Sequence, residues 1–153
     1  MRGRVAVFAA VMIAALLLVV SLVSVSAAGP KTTRLTVVEH ADSDAVVDIG
    51  AVGDSPGDIL TFHNDLFDET NKDVVGTDQG DCVRIEVGVS WECRWVNFLE
   101  GGSITVEGPF FDAGPSTMAI TGGTGAFKMA RGSMRLVAAS ATEFDFKFRI
   151  VTD

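Results

Sequence analysis

The chain has 153 residues, with 12 Lys and Arg against 20 Asp and Glu and a formal charge of -8. That acidity excludes nucleic acid and anionic membrane surfaces as partners, because both repel it. The length suits one domain with a real core, and no repeat or low-complexity tract suggests a second.

Arg2 and Arg4 precede an apolar run from Val5 to Val25, broken by Ser21 and Ser24, with the small Ser26 and Ala27 at its end. This order predicts a secretory signal peptide over residues 1–27, cleaved before Ala28. The run is also long enough to span a bilayer, so an uncleaved anchor is the alternative. Either way, residues 28–153 work outside the cytoplasm as a single domain. They carry 10 of the 12 basic residues and all 20 acidic ones, a net charge of -10.

Beyond the leader the apolar pattern has period two. It is clear over 34–40, 59–67, 83–87, 103–110 and 131–137. It is clearest at 144–150, where Phe144, Phe146, Phe148 and Ile150 share one face and Asp145, Lys147 and Arg149 the other. Turn residues at 50–57, 68–73, 101–102, 113–115 and 122–125 separate these runs. In the last of them Gly122, Gly123 and Gly125 force a tight reversal at a defined place. About eight short strands at this spacing predict an all-β fold, an up-and-down barrel or a sandwich. A barrel of that strand number can leave room for one small ligand.

Cys82 and Cys93 are the two cysteines, and in an exported chain so close a pair is expected to bond. The runs around Val87-Gly88-Val89-Ser90 look like a hairpin, yet Cys82 and Cys93 have opposite parity. Val83, Ile85 and Val87 instead share parity with Trp91, Cys93 and Trp95. Direct pairing therefore requires a bulge or an even-length turn that crosses faces, and the sequence leaves this open.

Most chemical signatures are missing. Two Cys and two His fit no usual zinc set, the Gly122–Gly125 run has no Gly-Lys-Ser/Thr, and Gly-x-Ser-x-Gly is absent. What stands out is polar groups on apolar faces. Glu39 shares a face with Leu35 and Val37, and Asn64 shares one with Leu60, Phe62 and Leu66. An inward carboxylate loses solvation and should titrate high. Glu39 is thus either functional or paired with an inward Arg, and Asn64 either functional or bonded to a strand edge or turn.

Four blocks in order carry a family resemblance: Gly57–Leu66, Val75–Glu86, Ser103–Phe110 and Ala119–Arg131. They resemble the GD-xxx-F-x-N-x-L, VG-xxx-G-x-CV-x-IE, SVQGPY and GGTG/GGAG blocks of allene oxide cyclases, and the VG-xx-QG and ARG runs of dirigent proteins. The resemblance implies an antiparallel eight-stranded barrel, no cofactor, a small apolar reactive molecule as partner, and a homotrimer. Val89, Val96, Phe98 and Phe111 are the apolar residues left to cover such a subunit contact. Glu39 takes the place of the cyclase carboxylate that assists ring opening, and Asn64 that of an Asn holding a water. Cys82 matches a pocket cysteine, Phe110 a pocket Tyr without its hydroxyl, and Arg131 an Arg of the dirigent pocket. Ala41 replaces a first-strand Asn, so the cyclase set is incomplete.

Two functions follow. The first is a secreted cyclase, isomerase or dirigent-type protein, with Glu39 and Asn64 as its catalytic pair. Phe62, Phe110, Arg131, Phe146 and Phe148 would hold its ligand. The second is a secreted binding or structural module with a filled barrel. An inward cavity that reaches Glu39 separates them.

Overall fold

Period-two segments bury one face each, and closing the sheet on itself removes the edges that such segments would otherwise leave. The structure, a computed structural model, describes residues 29–152, so the predicted leader and its cleavage lie outside the described residues. Nine strands follow in order: β1 Lys31–His40, β2 Ala45–Val47, β3 Ile59–Phe67, β4 Val74–Glu86 and β5 Ser90–Leu99, then β6 Gly102–Phe111, β7 Ser116–Gly123, β8 Arg131–Ala138 and β9 Glu143–Thr152. Neighbours run β1-β9-β8-β7-β6-β5-β4-β3-β2, and a β1–β3 pairing closes the ring. Eight antiparallel strands thus form the barrel, while the three-residue β2 lies outside it as an addition to β3. Among the described residues no helix is long and apolar enough to cross a membrane.

Inward residues fill the barrel in layers. Phe146, Phe148 and Ile150 of β9 meet Val37 of β1 and Met134 of β8, all nearly inaccessible to solvent. The glycine-rich reversal is a 3-10 turn, Gly125–Phe127, between β7 and β8. Gly125 sits at φ 57, where a Cβ would stand 2.1 Å from the carbonyl oxygen of Gly101. Only glycine fits there.

The cysteine conflict is resolved by a bulge. Cys82 and Cys93 are direct cross-strand partners and form a disulfide. Between Arg84 and Glu86 the register of β4 against β5 shifts, two residues opposing one. Val83, Ile85 and Val87 therefore face outward and are exposed, not inward with Trp91 and Trp95 as their parity suggests. Gly76, Asp78, Gly80, Cys82 and Arg84 occupy the inner row of β4 instead.

Residues 48–58 are tied to the barrel through Asp58 and Arg84. Asp58, which is buried, accepts hydrogen bonds from the backbone N–H groups of Ile49 and Ser55, both at 2.8 Å. Arg84 reaches Asp54 at 2.8 Å and Asp112 at 2.7 Å and stacks over Trp91 at 3.9 Å. The backbone donors hold the Asp58 carboxyl below its ordinary range. Such a group stabilises the fold above its unfolded pKa, and that contribution disappears as pH falls through the folded value. Acidification below about pH 4 should therefore loosen this segment before the barrel opens. Hydrogen exchange at the Ser55 amide should show it, and Asp58→Ala should exchange fast already at neutral pH.

Candidate functional site

Glu39 falls on the inner face of β1 because Leu35 and Val37 on the same parity pack into the core, with Leu66 and Phe144 as its cross-strand partners. It is 6% exposed. Among the described residues no salt bridge joins it to an arginine; the inward Arg84 is engaged by Asp54 and Asp112. Its hydrogen-bond partner is Asn64, whose Nδ2 donates to Glu39 Oε1 at 3.0 Å. The same Nδ2 donates to Asp44 Oδ1 at 3.0 Å, while Asn64 Oδ1 accepts from the Ser43 amide and hydroxyl, each at 3.0 Å. Both amide hydrogens are thus taken within the protein. Asn64 is a clamp on Glu39 and Asp44, with no hydrogen left to hold a water.

A second buried carboxyl lies beside this pair. Asp78 on β4 is the cross-strand partner of Asn64 on β3 and of Asn97 on β5, and it has no solvent exposure. Neither of its oxygens has a hydrogen bond of ordinary geometry. Burial without such partners favours the neutral form of this carboxyl, and the charge of the neighbouring Glu39 favours it further. Burial pushes Glu39 up from 4.5 to about 7, Asn64 opposing and the Asp44 charge reinforcing the shift. Burial, then the Glu39 charge, pushes Asp78 from 3.8 to about 9. Two carboxyls in one dry site cannot both ionise near neutrality, so they titrate as a pair. Between these two values the pair holds one proton and one negative charge.

Glu39 and Asp44 form the acidic part of a cavity of about 50 Å³ whose walls are otherwise apolar. Phe62, Trp95, Phe110, Phe144 and Phe146 supply aromatic faces, and Leu60, Leu136 and the Cys82–Cys93 disulfide complete it. Asp44 is exposed, so the cavity meets solvent beside it. Trp95 is held edge-on to Phe62 at 5.8 Å and tilted against Phe146 at 5.5 Å. Gly80 lies between them on β4, where a Cβ would stand 2.3 Å from the Trp95 Cβ. No Lys, Arg or His lines the cavity. A cavity whose charged groups are all carboxyls disfavours anions.

Of the residues expected to hold a ligand, Phe62, Phe110 and Phe146 line this cavity, whereas Phe148 lies in the core below it. Arg131 is exposed on the outward parity of β8 and is not on the wall, because Met134 and Leu136 take the inward positions. Asp44, Asp78 and Trp95 were not expected. Trp95 shares parity with Cys93, which was readable; Asp78 sits in a strand with no apolar alternation to show its direction. Among the described residues no group of His, Cys, Asp and Glu has the arrangement to hold a metal ion.

The barrel has known relatives. The family described as dirigent-like protein matches residues 23–150. Among solved structures, a pyocyanin demethylase is 27% identical with a TM-score of 0.67, the match covering 78% of this chain and 100% of that one. The pterocarpan synthase dirigent protein GePTS1 is 19% identical with a TM-score of 0.70, covering 80% of this chain and 88% of that one. AbnU, an exo-specific intermolecular Diels-Alderase, is 14% identical with a TM-score of 0.67, covering 82% of this chain and 100% of that one. The last two matches show a shared fold. With most of its length matched by the family and its barrel shared with these proteins, the chain belongs to the dirigent-like protein family.

Proposed function

We propose that this protein binds a small, largely apolar reactive molecule in the barrel and controls its ring closure, isomerisation or coupling by proton transfer at Glu39. The observation that carries this is a carboxyl poised near neutrality, about 7, on the wall of an aromatic cavity. A group that titrates near the working pH can both take and return a proton. Asp78 is held neutral beside it by burial, while Asn64 fixes the Glu39 carboxyl and acts as a positioning residue. The aromatic walls hold one conformation of a flat molecule, which is how a barrel can steer stereochemistry. Names such as pterocarpan synthase and Diels-Alderase among the structural neighbours support ring-forming chemistry. The cavity favours this reading over a filled structural module.

A ligand that displaces water from the cavity disfavours the Glu39 charge further and raises its pKa. Adding neutral aromatic fragments at pH 7.5 in weak buffer should therefore drive proton uptake by the wild type and none by Glu39→Gln. Equal uptake by both, or fragment binding without uptake, contradicts the assignment.

Two further features belong to this proposal. The disulfide and the basic-apolar-small order of residues 1–28 support export, with the mature chain beginning near Ala28. N-terminal sequencing of native protein should find Ala28; Met1 in the membrane fraction favours an anchor. Exposed Val89, Phe98 and Phe111, with the outward Val83, Ile85 and Val87, support a subunit contact in a homotrimer. Val96 is half-buried in the isolated chain. Light scattering should return three times the chain mass, and a monomer mass at micromolar concentration removes this part.

A further inference from the structure

We propose that the outer face of β1, β9 and β8 is a docking surface for an acidic polysaccharide that carries carboxylates. This goes beyond the cavity and does not depend on it. Because Leu35, Val37, Phe146, Phe148, Met134 and Leu136 take the inward positions of these strands, the residues between them face out. Those outward rows bring four cations together. Arg34 on β1 is the direct cross-strand partner of Arg149 on β9, and Lys147, two residues along β9, is the partner of Arg135 on β8. All four side chains are exposed. Adjacent strands lie about 4.8 Å apart and alternate residues about 7 Å apart, so the four form one compact strip. Among the described residues Arg34, Arg135 and Arg149 have no ion-pair partner. Two carboxylates share the outward row of β9. Asp145 pairs with Lys147 at 2.9 Å, and Glu143, at the start of the strand, is engaged by His40 and Asn71. Like charges directly opposite each other destabilise a sheet. Two such pairs side by side therefore weaken the free fold, and a bound polyanion offsets that loss.

The surroundings of the strip select the partner. Residues 28–153 carry a net charge of -10 despite these four cations, so the rest of the surface is strongly acidic. A flat anionic membrane would press against that acidic surround, whereas a flexible chain can follow the strip alone. Single-stranded nucleic acid is held by stacking its bases on aromatic side chains, and none stands beside these cations. Their cross-strand neighbours are hydroxyls instead: Thr36 beside Lys147, Ser133 beside Arg149, and Thr117 on β7 beside Arg135. Hydroxyls bond the hydroxyls of a sugar, and guanidinium forks grip carboxylate oxygens two at a time. A polymer of uronic acids offers both groups at every unit. The strip also stays open in the trimer proposed above. In the ring order β9 stands four strands from β5 in either direction, across the barrel from the exposed apolar residues of the β4–β5 hairpin.

The test uses the mature chain, residues 28–153, with polygalacturonate as the probe. Neutral dextran, single-stranded oligothymidylate and phosphatidylglycerol vesicles are the comparisons. Titration calorimetry at low ionic strength should find binding to polygalacturonate and none to dextran. Sodium chloride at about 1 M, which screens charges beyond about 3 Å, should abolish it. Arg149→Glu should weaken binding about tenfold or more. It should melt no lower than wild type, because it sets an opposite charge across from Arg34. Arg94→Glu makes the same change in net charge on the exposed surface of β5 and should bind as wild type does. Equal loss in the two variants reduces the effect to net charge and overturns the proposal, as does full binding by Arg149→Glu. Tighter binding of oligothymidylate or of the vesicles than of polygalacturonate overturns the choice of partner. Salt-sensitive self-association without polygalacturonate binding makes a second copy the partner and overturns it as well.

Discussion

Glu39→Gln is expected to abolish proton transfer in the barrel while making the fold more resistant to denaturant at alkaline pH. The side chain keeps its volume and its bond to Asn64 Nδ2, and loses the ability to take a proton. The stability effect follows from the direction of its shift. A carboxyl raised from 4.5 to about 7 by burial leaves stability intact below the unfolded value. As pH rises from there through the folded value, the unfolded chain ionises while the folded one resists, and stability is lost. Wild type should therefore fall by about 3 kcal/mol between pH 4 and pH 8 from this group, and Glu39→Gln should not. Urea melts at the two pH values separate the cases. Had Glu39 been held by an ion pair, the substitution would destabilise at pH 8, and that result would count against the carboxyl pair described here.

Loss of the Cys82–Cys93 disulfide should lower stability by about 3 kcal/mol, because it frees a loop spanning the hairpin in the unfolded chain. The bond also forms part of the cavity wall between Leu60 and Trp95, so Cys93→Ala should weaken binding of neutral aromatic fragments as well. Thermal melts of Cys93→Ala against wild type test the first part, and fragment titration tests the second. An unchanged melting temperature, or two thiols labelled in unreduced, unfolded wild-type protein, would remove the crosslink from the account.

How much of this was written in the sequence depended on the strand. In β9 the alternation of Phe144, Phe146, Phe148 and Ile150 with charged residues left one choice of face, and the same parity put Glu39 indoors. Strand β4 offered no such guide. Its inner row is Gly, Asp, Gly, Cys and Arg, its apolar valines point out, and a bulge changes the parity between Arg84 and Glu86. Asp78 was hidden for that reason. Its importance comes from Glu39, which only the closing β1–β3 pairing brings next to β3 and so beside Asp78 on β4. Arg131 illustrates the opposite difficulty. A motif can align with a pocket residue and still face outward, because Met134 and Leu136 fix the parity of β8. Asn64 was correctly placed on the inner face, but its role as a clamp required the positions of Ser43 and Asp44 in the preceding loop.

The central claim is that a buried carboxyl stands ready to exchange a proton inside an aromatic cavity. A carbon-13 NMR titration of the Glu39 side-chain carboxyl in the mature protein reads it most directly. The account predicts a midpoint near 7, with residual ionisation of its partner Asp78 extending toward 9. A single midpoint near the ordinary 4.5 would show a solvated carboxylate and contradict it.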